Sequence, residues 1–184
     1  MDKLRVGLDI DGVLADFSAG IINHAKAIGE DGFPESPQDV RSWAMCSNFR
    51  PVFNNVCLDP DFWLGLPKLE TTIDFQPSIY VTARPIKSDV TYKWLEASGF
   101  PPAEVVTVNR PELKTQVLRQ NEIDVFVDDY FVTVQQINGA GLKLKALLFD
   151  APYQYGHYED VRHLPKISDL KMETIVQKHK EFFN

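Results

Sequence analysis

Residues 4–12 read LRVGLDIDG and combine a short apolar run with two aspartates and a glycine. The run from Leu4 to Ile10 has the length of a buried β-strand, and acidic residues followed by Gly12 are typical of a functional loop at the end of such a strand. Asp9 and Asp11 alternate along the extended tip, so either side chain can face one cavity. The stretch predicts a buried strand with a polar site at its carboxyl end.

Four later apolar runs share this layout, because each one ends in polar residues. They are Ile79–Val81 before Thr82, Val105–Val108 before Asn109, Val125–Val127 before Asp128-Asp129, and Ala146–Phe149 before Asp150. Apolar residues at helical spacing lie between these runs, for example Val90 and Trp94 ahead of a stop at Gly99. Alternating strands and helices predict an α/β fold with a doubly wound parallel sheet, whose ligand site lies beyond the carboxyl ends of the strands.

The stretch from residue 18 to residue 70 interrupts this rhythm. It is too long for a single crossover, shows no clear strand and is rich in aromatic residues, Trp43 and Trp63 among them. We interpret it as a small helical cap that is inserted after the first strand and lies over the site. The predicted domains are therefore an α/β core of residues 1–17 and 71–184 and a helical cap of residues 18–70.

Composition restricts the partners and the compartment. The 184 residues carry a formal net charge of −7 without a basic stripe, which argues against nucleic acid but not against a small anion held by a metal. Cys46 and Cys57 either form a disulfide or, as we expect, fill small apolar spaces in a reducing cytoplasm. We expect a cytoplasmic protein without a membrane segment. The oligomeric state stays open, with a homodimer among the alternatives.

The acidic residues at the strand ends predict a metal site. Asp9, Asp11, Asp128 and Asp129 would repel one another at one edge of the sheet unless a cation held them together. Carboxylate oxygens, with no Cys or His nearby in the sequence, favour Mg²⁺. Taken singly, each Asp pair is more often a turn or a helix cap. The prediction rests on their occurrence together in one topology.

Thr82 and Lys114 complete this pattern. The Thr82 hydroxyl and the Lys114 ammonium are donors that could hold a phosphate against the metal. A carboxylate could then approach a phosphoryl group that would otherwise repel it, and an aspartyl-phosphate would form. The residues therefore predict a magnesium-dependent phosphatase.

A family resemblance points the same way. Residues 9–17 read DIDGVLADF, which resembles the first motif of the haloacid dehalogenase superfamily of phosphatases, and in its extended form that of the 5′(3′)-deoxyribonucleotidases. Thr82 is similar to the second motif, Lys114-Thr115 to the third and residues 127–129 to the fourth. Residues 61–67, DFWLGLP, resemble an aromatic stretch of the same family.

The resemblance implies a role for each matching residue. Asp9 would be the nucleophile and a metal ligand. Asp11 would protonate the leaving oxygen and then activate water, with its backbone carbonyl on the metal. Asp129 would bind the metal directly, and Asp128 would bind it directly or through water.

The resemblance also assigns substrate contacts and a substrate. Thr82 and Lys114 would hold phosphate oxygens, and Phe17 and Trp43 would lie around a nucleoside. The implied activity is hydrolysis of nucleoside monophosphates, deoxyribonucleotides above all. The sequence departs from the family where substrate is contacted, for example at Ala83 and at Cys57.

Other functions remain open at this point. A sugar-phosphate phosphatase would use the same chemistry, as would a 3′-phosphatase acting on nucleic-acid ends, although the acidic charge opposes the latter. A phospho-accepting signal receiver also combines acids, Thr and Lys, but needs neither Asp11 nor a cap-sized insertion. A non-catalytic binder is disfavoured because every expected catalytic position is filled.

Overall fold

The strand that opens the chain lies near the middle of a six-stranded sheet. The computed structural model describes residues 4–40, 48–151 and 162–183. The strands are β1 Val6–Leu8, β2 Ile79–Thr82, β3 Glu104–Thr107, β4 Val125–Asp128, β5 Lys145–Phe149 and β6 Lys166–Ile167. The helices in the described ranges are α1 Phe17–Ala27, α2 Phe49–Val56, α3 Pro60–Leu64, α4 Ser88–Ala97, α5 Lys114–Gln120, α6 Phe131–Gly139 and α7 Met172–Glu181, with 3₁₀ turns at Pro37–Asp39 and Pro111–Leu113.

The strand order confirms the predicted fold class. The order is β3-β2-β1-β4-β5-β6, and every pairing is parallel. The chain winds outward from β1 to β3 on one side and then from β4 to β6 on the other. The switch between the two directions falls between β1 and β4, where doubly wound sheets bind their ligands. The sequence prediction did not include β6, because a strand of two residues leaves no apolar run.

Both faces of the sheet are buried, as a doubly wound fold requires. Leu8, Tyr80 and Val127 belong to the core on one face, whereas Val81 and Phe126 belong to the core on the other. Successive strand residues point to opposite faces, so the strands consist of nearly continuous apolar residues. This continuity explains why the sequence shows these strands as short apolar runs.

Helices α1, α2 and α3 lie between β1 and β2 in the sequence, and we call residues 17–64 the helical insertion. The chain enters and leaves it through two adjacent segments: Asp16 N donates to Pro67 O at 2.8 Å, and Leu69 N donates to Leu14 O at 2.8 Å. A helical insertion after the first strand is thus confirmed, while the division of the chain into a core and a cap at residues 18 and 70 stays a prediction. Within the described ranges, no helix has the length and apolar character needed to cross a bilayer.

Candidate active site

A tight loop after β1 presents Asp9 and Asp11 at the carboxyl edge of the sheet. Asp9 N donates to Val127 O at 2.9 Å, which continues the pairing with β4 past the end of β1. Ala15 N then donates back to Ile10 O at 2.9 Å. Gly12 has a φ of 78° in this loop, a conformation that residues with a side chain rarely adopt. These hydrogen bonds close the loop on itself and set where the two carboxylates emerge.

Lys114, the first residue of α5, joins two strand ends. Its Nζ donates to Asp9 Oδ2 at 2.6 Å and to Asp128 Oδ2 at 2.8 Å, and all three residues are buried. Burial by itself lowers the pKa of Lys114, but the charges of Asp128 and Asp9 outweigh it and raise that pKa. Lys114 is consequently a permanent cation at the centre of the site.

The carboxylates nevertheless exceed the positive charge around them. Burial raises the pKa of Asp9 to about 7; Lys114 opposes this shift, and the charges of Asp128 and Asp11 add to it. Burial also raises the pKa of Asp129 well above its ordinary value, and Asp128 and Asp9 raise it further. Raised pKa values at several carboxyls in one cleft are typical of a functional site.

The Asp128 carboxylate is fixed at both oxygens. Its Oδ2 accepts from Lys114 Nζ, and its Oδ1 accepts from the backbone N–H of Tyr130 at 2.8 Å. Tyr130 directly precedes α6 and Lys114 begins α5, so the starts of two helices hold this side chain. Asp128 therefore has one orientation.

The geometry of the acids fits a divalent cation. Within the part of the chain that the structure describes, one group of His, Cys, Asp or Glu side chains could hold a metal: Asp9, Asp128 and Asp129, each offering an oxygen within 4.8 Å of the others. Oδ1 of Asp9 is buried and has no hydrogen-bond partner among the described residues. A buried polar atom without a partner is costly, and an oxygen-only set suits Mg²⁺. The predicted ligand Asp11 was expected to use its backbone carbonyl, and its side chain is not part of the group.

Thr82 ends β2 on the same edge of the sheet. The side chain is 1% exposed, and its Oγ1 accepts a hydrogen bond from the backbone N–H of Arg84 at 3.3 Å. Because the hydroxyl oxygen acts here as the acceptor, its hydrogen remains to be donated to a ligand oxygen. This arrangement suits the phosphate contact predicted for Thr82.

Arg84 is the residue that the sequence analysis missed. Its guanidinium pairs with the Asp11 carboxylate, with Nη2 2.7 Å from Oδ1 and Nε 2.9 Å from Oδ2. The sequence alone indicates only that Arg84 belongs to a loop before a proline. The available signal was its place two residues beyond Thr82, on the edge where the acids were expected to meet.

The two aromatic residues predicted to lie around a substrate have different outcomes. Phe17 is half-buried in an aromatic cluster of the helical insertion, stacked on Trp63 with ring centroids 5.9 Å apart and edge-on to Phe53 and Phe62. Trp43 lies outside the described residues. The substrate roles of Phe17 and Trp43 stay predictions.

Comparison with known proteins bears on the fold. The chain matches no protein-family model and no curated protein. Among solved structures it is similar to a protein from Bacteroides fragilis described as a haloacid dehalogenase-like hydrolase, with a TM-score of 0.55, 14% identity and coverage of 91% of this chain and 98% of the other. The chain has the haloacid dehalogenase-like fold.

Two further structures with this fold span nearly the whole chain. An L-2-haloacid dehalogenase aligns with a TM-score of 0.55 and 12% identity over 98% of this chain and 99% of its own. A protein from Lactobacillus plantarum described as a phosphoglycolate phosphatase aligns with a TM-score of 0.51 and 10% identity over 97% of this chain and 100% of its own. At identities this low the structural similarity establishes the fold alone, and the activity must be argued from the site.

Proposed function

We propose that this protein is a magnesium-dependent phosphomonoesterase that acts through a phosphate ester of Asp9. One observation carries the proposal: the buried Asp9 carboxylate, one oxygen of which has no partner among the described residues, lies against Lys114 and next to two further aspartates at the switch point of the sheet. The four acids Asp9, Asp11, Asp128 and Asp129 face the two cations Lys114 and Arg84. When every acid is ionised, the excess equals the charge of one divalent cation.

In the first step a carboxylate oxygen of Asp9 attacks the phosphorus of the substrate. The bond between phosphorus and the leaving oxygen breaks, and that oxygen takes a proton from the Asp11 carboxyl, so the alcohol leaves neutral. Lys114 and the Thr82 hydroxyl donate to the non-bridging oxygens of the phosphoryl group.

In the second step the Asp11 carboxylate removes a proton from water. The resulting hydroxide attacks the phosphorus of the aspartyl-phosphate, the bond to the Asp9 oxygen breaks, and inorganic phosphate is released. Asp11 thereby regains the proton it gave away, and the site returns to its starting state.

Asp9, Asp128 and Asp129 are the residues that would hold Mg²⁺. When bound, the ion supplies positive charge that offsets the repulsion between the Asp9 carboxylate and the phosphate dianion. The raised pKa values of Asp9 and Asp129 support this assignment, because burial and, after it, the neighbouring carboxylates make the ionised form of each group costly in the metal-free protein.

We further propose a nucleoside monophosphate as the substrate, with deoxyribonucleotides preferred. The proposal is supported by residues 9–17, which resemble the first motif of the 5′(3′)-deoxyribonucleotidases, and by the aromatic residues Phe17 and Trp43. A base stacked on an aromatic ring would gain on the order of 1–3 kcal/mol. That gain separates nucleotides from sugar phosphates by roughly tenfold or more.

Turnover of a substrate panel with and without Mg²⁺ tests both proposals. The panel holds deoxyribonucleoside and ribonucleoside monophosphates, sugar phosphates, p-nitrophenyl phosphate and a 3′-phosphorylated oligonucleotide. We expect magnesium-dependent release of phosphate that is fastest with deoxyribonucleotides and absent in excess chelator. If a sugar phosphate exceeds every nucleotide, the nucleotide proposal fails and the phosphatase proposal stands. Full turnover in excess chelator contradicts the metal assignment.

The variant Trp43→Ala tests the base contact. We expect it to lower kcat/KM for nucleotides roughly tenfold or more while leaving p-nitrophenyl phosphate unaffected. Equal losses on both substrates assign Trp43 a structural role. Trapping the phosphoryl group on a residue other than Asp9 would refute the mechanism.

A further inference from the structure

Arg84 is a buried charge whose one ionic partner among the described residues is Asp11. The Arg84 side chain has no exposed surface, whereas the Asp11 side chain is 24% exposed. Arg84 therefore lies behind Asp11, on the protein side, and Asp11 faces the cleft. Oδ1 of Asp11 accepts from Nε at 3.1 Å and from Nη2 at 2.7 Å, whereas Oδ2 accepts from Nε at 2.9 Å and from no other atom of the described residues.

Two tryptophans fix the guanidinium from different helices. Its central carbon lies 5.0 Å from the ring centroid of Trp63 on α3 and 5.3 Å from that of Trp94 on α4. Each indole is itself held by its N–H, which donates at 2.9 Å to Cys57 O in the case of Trp63 and to Leu66 O in the case of Trp94. Trp63 of the helical insertion and Trp94 of α4 therefore set the orientation of Arg84 together.

Stability alone does not account for this arrangement. Removing a guanidinium from water costs several kcal/mol, and a buried ion pair is often no more stabilising than an apolar pair of the same volume. Arg84 also leaves its Nη1 buried without a hydrogen-bond partner among the described residues, which adds to the cost. A methionine between the two indoles would avoid both penalties, but it could not hold a carboxylate.

We propose that Arg84 is a positioning residue for Asp11, an inference that rests on the proposed phosphatase function. The two guanidinium nitrogens prevent the Asp11 carboxylate from rotating. Oδ2, which accepts the single hydrogen bond, is the oxygen that gives and takes the proton in the two steps. Because Trp63 belongs to the helical insertion, the placement of the insertion over the sheet also fixes the acid-base group.

A double-mutant cycle separates positioning from a structural role. The variants are Arg84→Met, Asp11→Asn and the double variant, assayed at saturating Mg²⁺ on the best alkyl phosphate of the panel and on p-nitrophenyl phosphate. We expect Arg84→Met to lower kcat for the alkyl phosphate roughly 100-fold with little change in KM. The first step on p-nitrophenyl phosphate, measured as the burst of p-nitrophenol, should be slowed less, since its leaving group needs no proton, whereas the second step still needs Asp11. The double variant should be no slower than Asp11→Asn alone, because Arg84 acts only through Asp11.

A second variant covers the case in which Arg84→Met does not fold. Arg84→Lys keeps the charge and most of the volume but loses the planar fork that binds a carboxylate at two points. We expect it to lower kcat with KM nearly unchanged, while Arg119→Met, which removes an exposed arginine, should match the wild type.

The outcomes of the cycle test the positioning role of Arg84 separately from the phosphatase function. Losses that add in the double variant, or wild-type kcat in Arg84→Lys, overturn the positioning role and leave the phosphatase function intact. A wild-type protein that hydrolyses no phosphomonoester overturns the proposed function and the positioning role with it.

Discussion

Lys114 Nζ and Asp9 Oδ2 lie 2.6 Å apart although 105 residues separate them in the sequence. The contact connects the first residue of α5 to the loop after β1. A second contact of the same Nζ, 2.8 Å from Asp128 Oδ2, connects it to the end of β4. One ammonium thus holds two carboxylates that would otherwise repel each other in a buried site.

Removal of that ammonium should cost both stability and activity. In metal-free Lys114→Met, two buried carboxylates lose their cation, and we expect the free energy of unfolding to fall by about 3–5 kcal/mol. Mg²⁺ should restore part of the loss, since it supplies charge at the same place. Urea unfolding with and without Mg²⁺ measures both effects, and Lys143→Met, at an exposed lysine, is the control. Equal stability of Lys114→Met and the wild type would contradict the role given to this ion pair.

Asp9→Asn should abolish turnover and yet stabilise the metal-free protein at high pH. The pKa of Asp9 is about 7 in the folded protein against an ordinary value of 3.8, so ionisation of Asp9 opposes folding. The free energy of unfolding should therefore fall as the pH rises from about 4 to 7, because Asp9 loses its proton more readily in the unfolded chain than in the folded protein. Asn carries no charge, and at pH 8 we expect it to be more stable than Asp by about 1–4 kcal/mol.

Unfolding of both proteins in chelator at pH 4.5 and pH 8 measures this difference. The advantage of Asp9→Asn should be small at the lower pH and large at the higher one. An advantage that shrinks as the pH rises would show that the charge on Asp9 is compensated without a metal.

Binding of Mg²⁺ should release protons below about pH 7. Asp9 and Asp129 have raised pKa values, so the ion must displace protons from carboxyls that are partly protonated in the metal-free protein. Affinity should therefore rise with pH through about 7, the pKa of Asp9. Calorimetry in two buffers of different ionisation enthalpy counts the protons at pH 6 and pH 8. Asp129→Asn should bind Mg²⁺ more weakly, and binding at pH 6 without proton release argues against this ligand set.

Asp16 should act on stability rather than on catalysis. Its Oδ1 accepts from Ala19 N at 2.8 Å and caps the first turn of α1. We expect Asp16→Ala to lower the free energy of unfolding by about 1 kcal/mol and Asp16→Asn, which also caps helices well, to lower it far less. Urea unfolding and kcat/KM together check this prediction. A large loss of activity in the stable Asn variant would assign Asp16 to the substrate site instead.

The sequence predicted the central strands β1, β2 and β4 because every residue in them is buried. Val125, Phe126 and Val127 are all completely buried, so β4 appears as an unbroken apolar run. The site followed from the same reasoning, since the carboxyl ends of parallel strands converge and bring Asp9 and Asp128 together. β6 has two residues and no such run, and for that reason it could not be recognised from the sequence.

Arg84 could not be predicted in this way. Its partner Asp11 is 73 residues away, and the rings that enclose it come from α3 and α4, which no periodicity relates to each other. A loop arginine is usually solvated. Only the packing of the helical insertion against α4 converts it into a buried charge.

The hydrogen bonds from Asp16 to Pro67 O and from Leu69 to Leu14 O have an evolutionary consequence. They bring the two ends of residues 17–64 to neighbouring points, so the intervening chain closes on itself before β2 begins. Insertions, deletions or wholesale exchange between these points would not alter the register of Gly7 with Ile79 or the position of Asp9. Selection can therefore reshape the surface above the sheet while Asp9 and Asp128 at its edge stay where they are, provided that the ring against Arg84 is kept.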